Sequence, residues 1–301
     1  MISVTMKVKV YNCYNENAKG KINPINAIQR AFDATEIFLS NLKELNPEIL
    51  DTYILTLKEK LNGIVKDFEL DFDRFELVSI TNELRLLRKQ SELQKAIVEF
   101  FFRSLALPTD YSPEDGEVTI LYSNNFKARN RFSYHRLKTL VELLGKEHGS
   151  ELYKKIVPEL IKKMGKDSKA SKTKDPRIIT LNDQRKSSIE TWCKIGLVDF
   201  IVAVFDDYKV LDRFDKCGVH EALKEFGDPD IAYLASCYIG DVKEFNEGKV
   251  VHLRRTQTLY HGTFCDELYW NNFVYKDVEQ PSLAFTESLK ENYVLIYGCF
   301  E

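Results

Sequence analysis

The residues of this chain best suited to chemistry fall within VVHLRRTQTLYHGTFCDELYW, which starts at Val250. Strand alternation places Val251, Leu253, Arg255, Gln257 and Leu259 on one face and Val250, His252, Arg254, Thr256 and Thr258 on the other. Arg255 therefore shares a side with aliphatic residues. A guanidinium stays charged and is expensive to bury alone, so on an apolar face it either meets a carboxylate or points into a pocket that binds an anion. The turn that follows carries Tyr260 and His261 and delivers Cys265 and Asp266. A thiolate beside a histidinium or an arginine is a good nucleophile near neutrality. Cys265 is thus the candidate nucleophile, with His261 sharing its proton. In a regular strand Asp266 faces away from Cys265 and suits an orienting role, unless a bulge turns it inward.

Each of these residues also has a plainer reading. A single cysteine on a strand is commonly a small buried hydrophobe, and this applies equally to Cys217, Cys237 and Cys265. Arg255 can pair with a structural carboxylate, and His261 can sit exposed and idle in its turn. Thr256 and Thr258 suit a strand without further role. Asp241 can bind backbone N–H groups in the Gly240 turn. Cys217, Cys237, His252, His261 and Cys265 carry metal-ligating atoms, but nothing in their spacing calls for a tetrahedral site, so neither metal nor cofactor is expected. Glycine-rich phosphate loops and the Gly-x-Ser-x-Gly elbow are missing. Tyr260, Phe264, Tyr269, Trp270, Phe273 and Tyr275 cluster around the hairpin, an arrangement that lines an apolar cavity more naturally than it stacks bases.

The elements that must position these groups follow from pattern and punctuation. The 301 residues are 44% hydrophobic and 30% charged with a formal charge of −3, which gives no electrostatic reason to expect nucleic acid or an anionic membrane. No basic, apolar leader opens the chain and no apolar run is long enough to span a bilayer, so a cytoplasmic protein is expected. The six cysteines stand singly, which argues for reduced thiols. ISVTMKVKV reads as a strand or arm. Asn23-Pro24 and Asn46-Pro47 start helices, and a third helix is expected from near Asp73 to Ser104, apolar nearly all round at its end. Residues 1–110 are read as an arm plus a helical region. After the turn-rich segment from Pro108 to Val118, residues 111–301 are read as a second, α+β domain. Further helices fall at 133–145, 151–164, 181–194, 220–226 and 229–238, with a solvated lysine-rich linker at 165–177. LVDFIVAVF and YKVLDRFDKC form a hairpin about Asp206-Asp207. The Val250 run and the segment from Cys265 to Tyr275 form another, and YVLIYGCF adds a last strand. The fold class is α+β: a mostly antiparallel sheet with flanking helices, preceded by an additional helical region.

From about Arg131 to Phe273 the chain resembles the L-2-amino-thiazoline-4-carboxylic acid hydrolase family. The resemblance rests on the strand ending at Cys217, the helix EALKEFGDPDIAYLASC ending at Cys237, Asp241 four residues on, and RTQTLYHGTFCD. It implies ring opening of a small cyclic amidine-like or thioimidate-like carboxylate by addition of water at a C=N carbon. The catalytic candidates are then Cys265, His261, Asp266 and Asp241, and the substrate-binding candidates Arg255, Thr256, Thr258, Cys237 and Tyr260. His261-Gly262-Thr263-Phe264 is a tighter, less polar turn than the family's, which leaves the substrate open. The same site serves ring closure in a biosynthetic pathway, and a ligand-binding protein without chemistry is the alternative from another class. The expected partner is a small carboxylate rather than nucleic acid or membrane, with the N-terminal helices open to a protein partner or an oligomer contact.

Overall fold

The computed structural model describes residues 6–66, 70, 84–164, 175–178, 180–276 and 278–291. The chain divides into two compact units. A sheet unit comprises Met1–Ala18, Ser168–Tyr233 and Cys237–Glu301; a helical unit comprises Lys19–Asp167 with Leu234–Ser236. The first strand, β1 (Lys7–Asn12), belongs to the sheet unit.

The helical unit runs β2 (Lys19–Ile22), α1 (Pro24–Leu45), α2 (Leu50–Ile64), α3 (Ser91–Leu105), β3 (Val118–Leu121), α4 (Tyr122–Leu144) and α5 (Lys146–Met164). Asn23 starts α1 by accepting the Ile25 N–H at 2.9 Å, and Pro24 occupies the first turn, where its missing donor matters least. The end of α3 is buried almost all round through Val98, Phe100, Phe101 and Phe102, as its apolar sequence requires. The helix expected from near Asp73 begins instead at Ser91: residues 84–90 carry only a single 3-10 turn, Leu87–Lys89, and residues 73–83 lie outside the described ones. Phe132 of α4 packs against Phe100 and Phe101, with ring centroids 5.9 and 5.5 Å apart. β2 pairs antiparallel with β3. The turn-rich segment read as a boundary at 110/111 therefore falls inside this unit, and α4 and α5 pack with α1, α2 and α3. Turn composition marks where the chain reverses, not whether the apolar faces on its two sides share a core.

The sheet unit continues with α6 (Leu181–Lys194), β4 (Val198–Asp206), β5 (Lys209–Cys217), α7 (Gly218–Leu223), α8 (Pro229–Ser236, its last three residues counted with the helical unit), α9 (Lys243–Asn246), β6 (Val251–Arg254), β7 (Cys265–Asn271) and α10 (Leu283–Ser288). The strands form one antiparallel sheet in the order β1-β4-β5-β7-β6, so the fold is α+β with an antiparallel sheet. The β4–β5 hairpin turns at the acidic pair, where Asp206 accepts the Tyr208 N–H at 2.7 Å. One sheet face carries Val198, Phe200, Val202, Val210, Phe214 and Cys265, packed with Leu181, Ile189 and Trp192 of α6. The opposite face buries Val8, Ile201, Ala203, Leu211, Leu268 and Trp270. The expected terminal strand YVLIYGCF, Cys299 and most of the lysine-rich run at 165–177 lie outside the described residues. Among the described residues no helix is long and apolar enough to cross a membrane.

Cys13 and Cys193 form a disulfide across a Cα–Cα distance of 4.7 Å, so not all the thiols are reduced. The two stand 180 residues apart. Pairing of Asn12 with Asp199 brings them together, because Cys13 follows β1 and Cys193 closes the helix that leads into β4. Spacing along a sequence carries no trace of that.

Candidate functional site

The alternation read from the Val250 run holds as far as the strand does. Leu253 lies opposite Tyr269, while His252 on the other face meets Trp270 with ring centroids 5.5 Å apart. Just past the end of β6, Arg255 reaches the face that carries Cys265, Glu267 and Tyr269. Its Nε lies 2.7 Å from Asp241 Oδ1 and its Nη1 lies 3.4 Å from Glu267 Oε1, with the side chain only 9% exposed. A Cβ at position 240 would collide with Nη2, so Gly240 is what lets the guanidinium lie against the Asp241 turn. Burial works to lower the pKa of Arg255, but Glu267 and Asp241 overcome it and raise it. The plainer reading of Arg255, pairing with carboxylates, is the arrangement found.

Asp241 is the pivot of the cluster. Its Oδ2 accepts the Tyr233 hydroxyl at 2.7 Å, while its Oδ1 faces Arg255. Burial raises its pKa, with Glu267 and Asp266 adding to the effect against the pull of Arg255 and Tyr233. Asp241 and Arg255 both line a cavity of about 650 Å³ that runs along β6 past Lys243, Lys249, Lys276 and Trp270. A carboxyl at a cavity wall, with its pKa raised by burial, is suited to taking up and returning a proton. The same wall presents cations to an anionic ligand.

Cys265 does not line that cavity. It is 7% exposed, and its sulfur accepts the Leu259 N–H at 3.1 Å. Burial pushes its pKa up, and the neighbouring Cys217 and Glu267 push it further. Burial likewise raises Cys217. Cys237 caps α8 close enough to influence both Cys265 and Arg255, so Cys217, Cys237 and Cys265 lie near one another. A thiol in this setting is protonated at neutral pH, which works against nucleophilic attack.

The remaining candidates of the loop are mostly engaged in holding it. Asp266 is fully buried, and it accepts the backbone N–H of Thr256 at 2.9 Å, that of Gln257 at 2.6 Å, the Thr256 hydroxyl and the Gln280 amide at 3.0 Å. So many donors to one carboxylate make it an organiser of the loop. The Gln257 side chain lies close against Gly262, and its amide donates to the Phe264 carbonyl at 3.1 Å. His261 is engaged with Asp230, 3.2 Å away, and packs against Tyr233; neither contact is with Cys265. The Tyr260 hydroxyl donates to the Val219 carbonyl at 3.4 Å, and the ring meets His220 edge-on. Thr258 is 4% exposed, with no hydrogen-bond partner for its hydroxyl among the described residues.

Sequence reasoning passed over Glu267, Tyr233 and the buried Arg185–Asp212 pair. Glu267 was within reach, because it stands two residues beyond Cys265 and must share its face. Its carboxylate accepts the Tyr269 hydroxyl, and Asp212 lies opposite it on β5. Arg185 of α6 covers Asp212 and lies over the Tyr269 ring, 4.4 Å from its centroid. Among the described residues no group of three or more His, Cys, Asp or Glu side chains is placed to hold a metal ion. Comparison with protein-family models, curated proteins and solved structures found no match to this chain.

Proposed function

We propose that this chain is a hydrolase-like enzyme that adds water to the C=N carbon of a small cyclic amidine-type or thioimidate-type carboxylate, and that Asp241 is its general acid–base. One observation carries the reading: Asp241, its pKa raised by burial, stands at the wall of the β6 cavity between the Arg255 guanidinium and the Tyr233 hydroxyl. The resemblance of the RTQTLYHGTFCD segment to the thiazoline-acid hydrolases supports the same class of substrate. In the proposed step the Asp241 carboxylate takes a proton from water as the new C–O bond forms, and the C=N electron pair passes to the ring nitrogen. Asp241 hands that proton to the ring nitrogen; as the tetrahedral adduct opens, the new hydroxyl becomes a carbonyl and its proton passes through Asp241 to the departing ring atom, whose bond to the carbon breaks. Lys243, Lys249 and Lys276 supply the charge that holds the substrate carboxylate, since Arg255 is already occupied by two acids. Ring closure in the reverse sense uses the same groups.

The burial of Cys265 favours one other reading, a protein that binds such a carboxylate without turning it over. The test is to incubate wild type, Asp241→Asn and Cys265→Ala with 2-amino-thiazoline-4-carboxylate and related cyclic carboxylates, following the gain of one water by mass spectrometry. The expected outcome is turnover by wild type and Cys265→Ala, with a loss of about 10²-fold or more in Asp241→Asn. Loss in Cys265→Ala alone, with that variant folded, would replace water addition by a covalent thiol mechanism. Saturable binding with no turnover in any form would make the protein a binder.

A further inference from the structure

The helical unit holds a second concave site, formed by the start of α1 and the facing first turns of α4. A cavity of about 160 Å³ is lined by Asn23, Asn26, Arg30, Asn125 and Arg129, together with Ile22 and Ala27. Asn26 and Arg30 are four residues apart on α1, and Asn125 and Arg129 are four apart on α4, so each helix turns an amide and a guanidinium towards the same space. Among the described residues neither arginine has a carboxylate within ion-pair distance, although both reach solvent. The acids of α1 that lie nearest in sequence are committed elsewhere. Asp33 accepts the Gln29 amide at 2.9 Å, and Glu36 accepts the backbone N–H groups of Arg85, Leu86 and Leu87.

Two turns further along α4, Arg136 repeats the shortage of acids at depth. It is 5% exposed and lies over the Phe38 and Phe132 rings, and among the described residues its Nε and Nη1 have no hydrogen-bond partner. The pKa of Arg129 is lowered, first by burial and then by the charge of Arg30. Two like charges therefore line one small polar space, with no carboxylate among the described residues that line it. An arrangement of that kind is unfavourable when empty and favourable around a compact dianion, because guanidinium forks match phosphate oxygens in pairs and asparagine amides add donors. The first turn of α1 contributes its positive dipole end to the same space.

We infer that this cavity is a binding site for a phosphate dianion, free or as the terminal group of a phosphomonoester, held by Arg30 and Arg129 with Asn26 and Asn125. The site lies wholly within the helical unit and is independent of the chemistry proposed at Asp241.

The test titrates the full-length protein with inorganic phosphate and with glycerol 2-phosphate, by calorimetry at constant ionic strength maintained with sodium chloride. Wild type, Arg30→Gln, Arg129→Gln and Arg129→Lys are compared. One saturable site is expected in wild type, with affinity about tenfold or more weaker in each glutamine variant and intermediate in Arg129→Lys, which keeps the charge and loses the fork. Phosphate should raise the melting temperature of wild type but not of Arg129→Gln. In phosphate-free buffer that variant should be no less stable than wild type, since it relieves repulsion. Binding of both probes would identify a phosphomonoester site, and binding of phosphate alone a free-phosphate site. Absence of saturable binding, equal affinity in the glutamine variants, or equal stabilisation by chloride would overturn the inference.

Discussion

A guanidinium clamped between two carboxylates has a different part to play from one left free for a substrate, and Arg255 is of the first kind. Its removal leaves Asp241 and Glu267 side by side, 20% and 15% exposed at their side chains, with like charges and no counter-ion. Arg255→Met is therefore expected to lower stability by about 3–5 kcal/mol in urea unfolding. Adding Glu267→Gln should restore part of that loss, and a double variant no better than the single one would mean that the two acids do not share the arginine. A second residue-scale prediction concerns Asp212. It is fully buried, and burial pushes its pKa up to about 6, with Glu267 adding to the effect against the pull of Arg185. The unfolded chain loses this proton near the ordinary value of 3.8, whereas the folded chain keeps it until about 6. The stabilisation is thus complete below the lower value and is lost as pH rises through the upper one. Wild type should lose about 2 kcal/mol relative to Asp212→Asn between roughly pH 4.5 and roughly pH 7. Parallel pH curves for the two proteins would rule this out.

At the scale of elements, β6 is an edge strand whose outer side is closed by one side chain. Asn246, at the end of α9, accepts the Leu253 N–H through Oδ1 and donates Nδ2 to the Leu253 carbonyl, both at 2.9 Å, as a neighbouring strand would. Asn246→Ala should cost about 1–3 kcal/mol and speed amide exchange at Leu253, an effect readable by NMR; unchanged exchange there would show that the bracket is dispensable. The β6–β7 and β4–β5 hairpins were legible in the sequence because period-two alternation and turn residues act locally, and Arg255 could be placed on its face for the same reason. β2 and β3 were not, since KGKI and VTIL are too short for a period to emerge. The pairing of Asp241 with Arg255 was equally hidden, because α9 lies between them and sets their approach in three dimensions. The sealing of Cys265 depends on α6 and on the Leu259 loop, neither of which announces its target in its own residues.

At the scale of the whole molecule, the two tryptophans, Trp192 and Trp270, both lie in the sheet unit, while most of the helix lies in the other. Fluorescence therefore reports chiefly on one unit and far-UV circular dichroism chiefly on the other. Reduction of the Cys13–Cys193 disulfide, or Cys13→Ser, should destabilise the sheet unit by about 2–5 kcal/mol. The fluorescence midpoint should then fall further than the dichroism midpoint. Midpoints that fall together would mean that the units unfold as one.

The same connectivity sets a timetable for synthesis. β1 leaves the ribosome well ahead of β4, yet Asn12 cannot pair until Asp199 has followed it, and Lys19–Asp167 of the helical unit are made in between. At about 5–20 residues per second that delay is roughly 10–40 s, long enough for the helical unit to fold while β1 is still without a partner. Among the described strands β1 thus waits longest for its partner, and the disulfide next to it fastens a join that the chain is slow to reach.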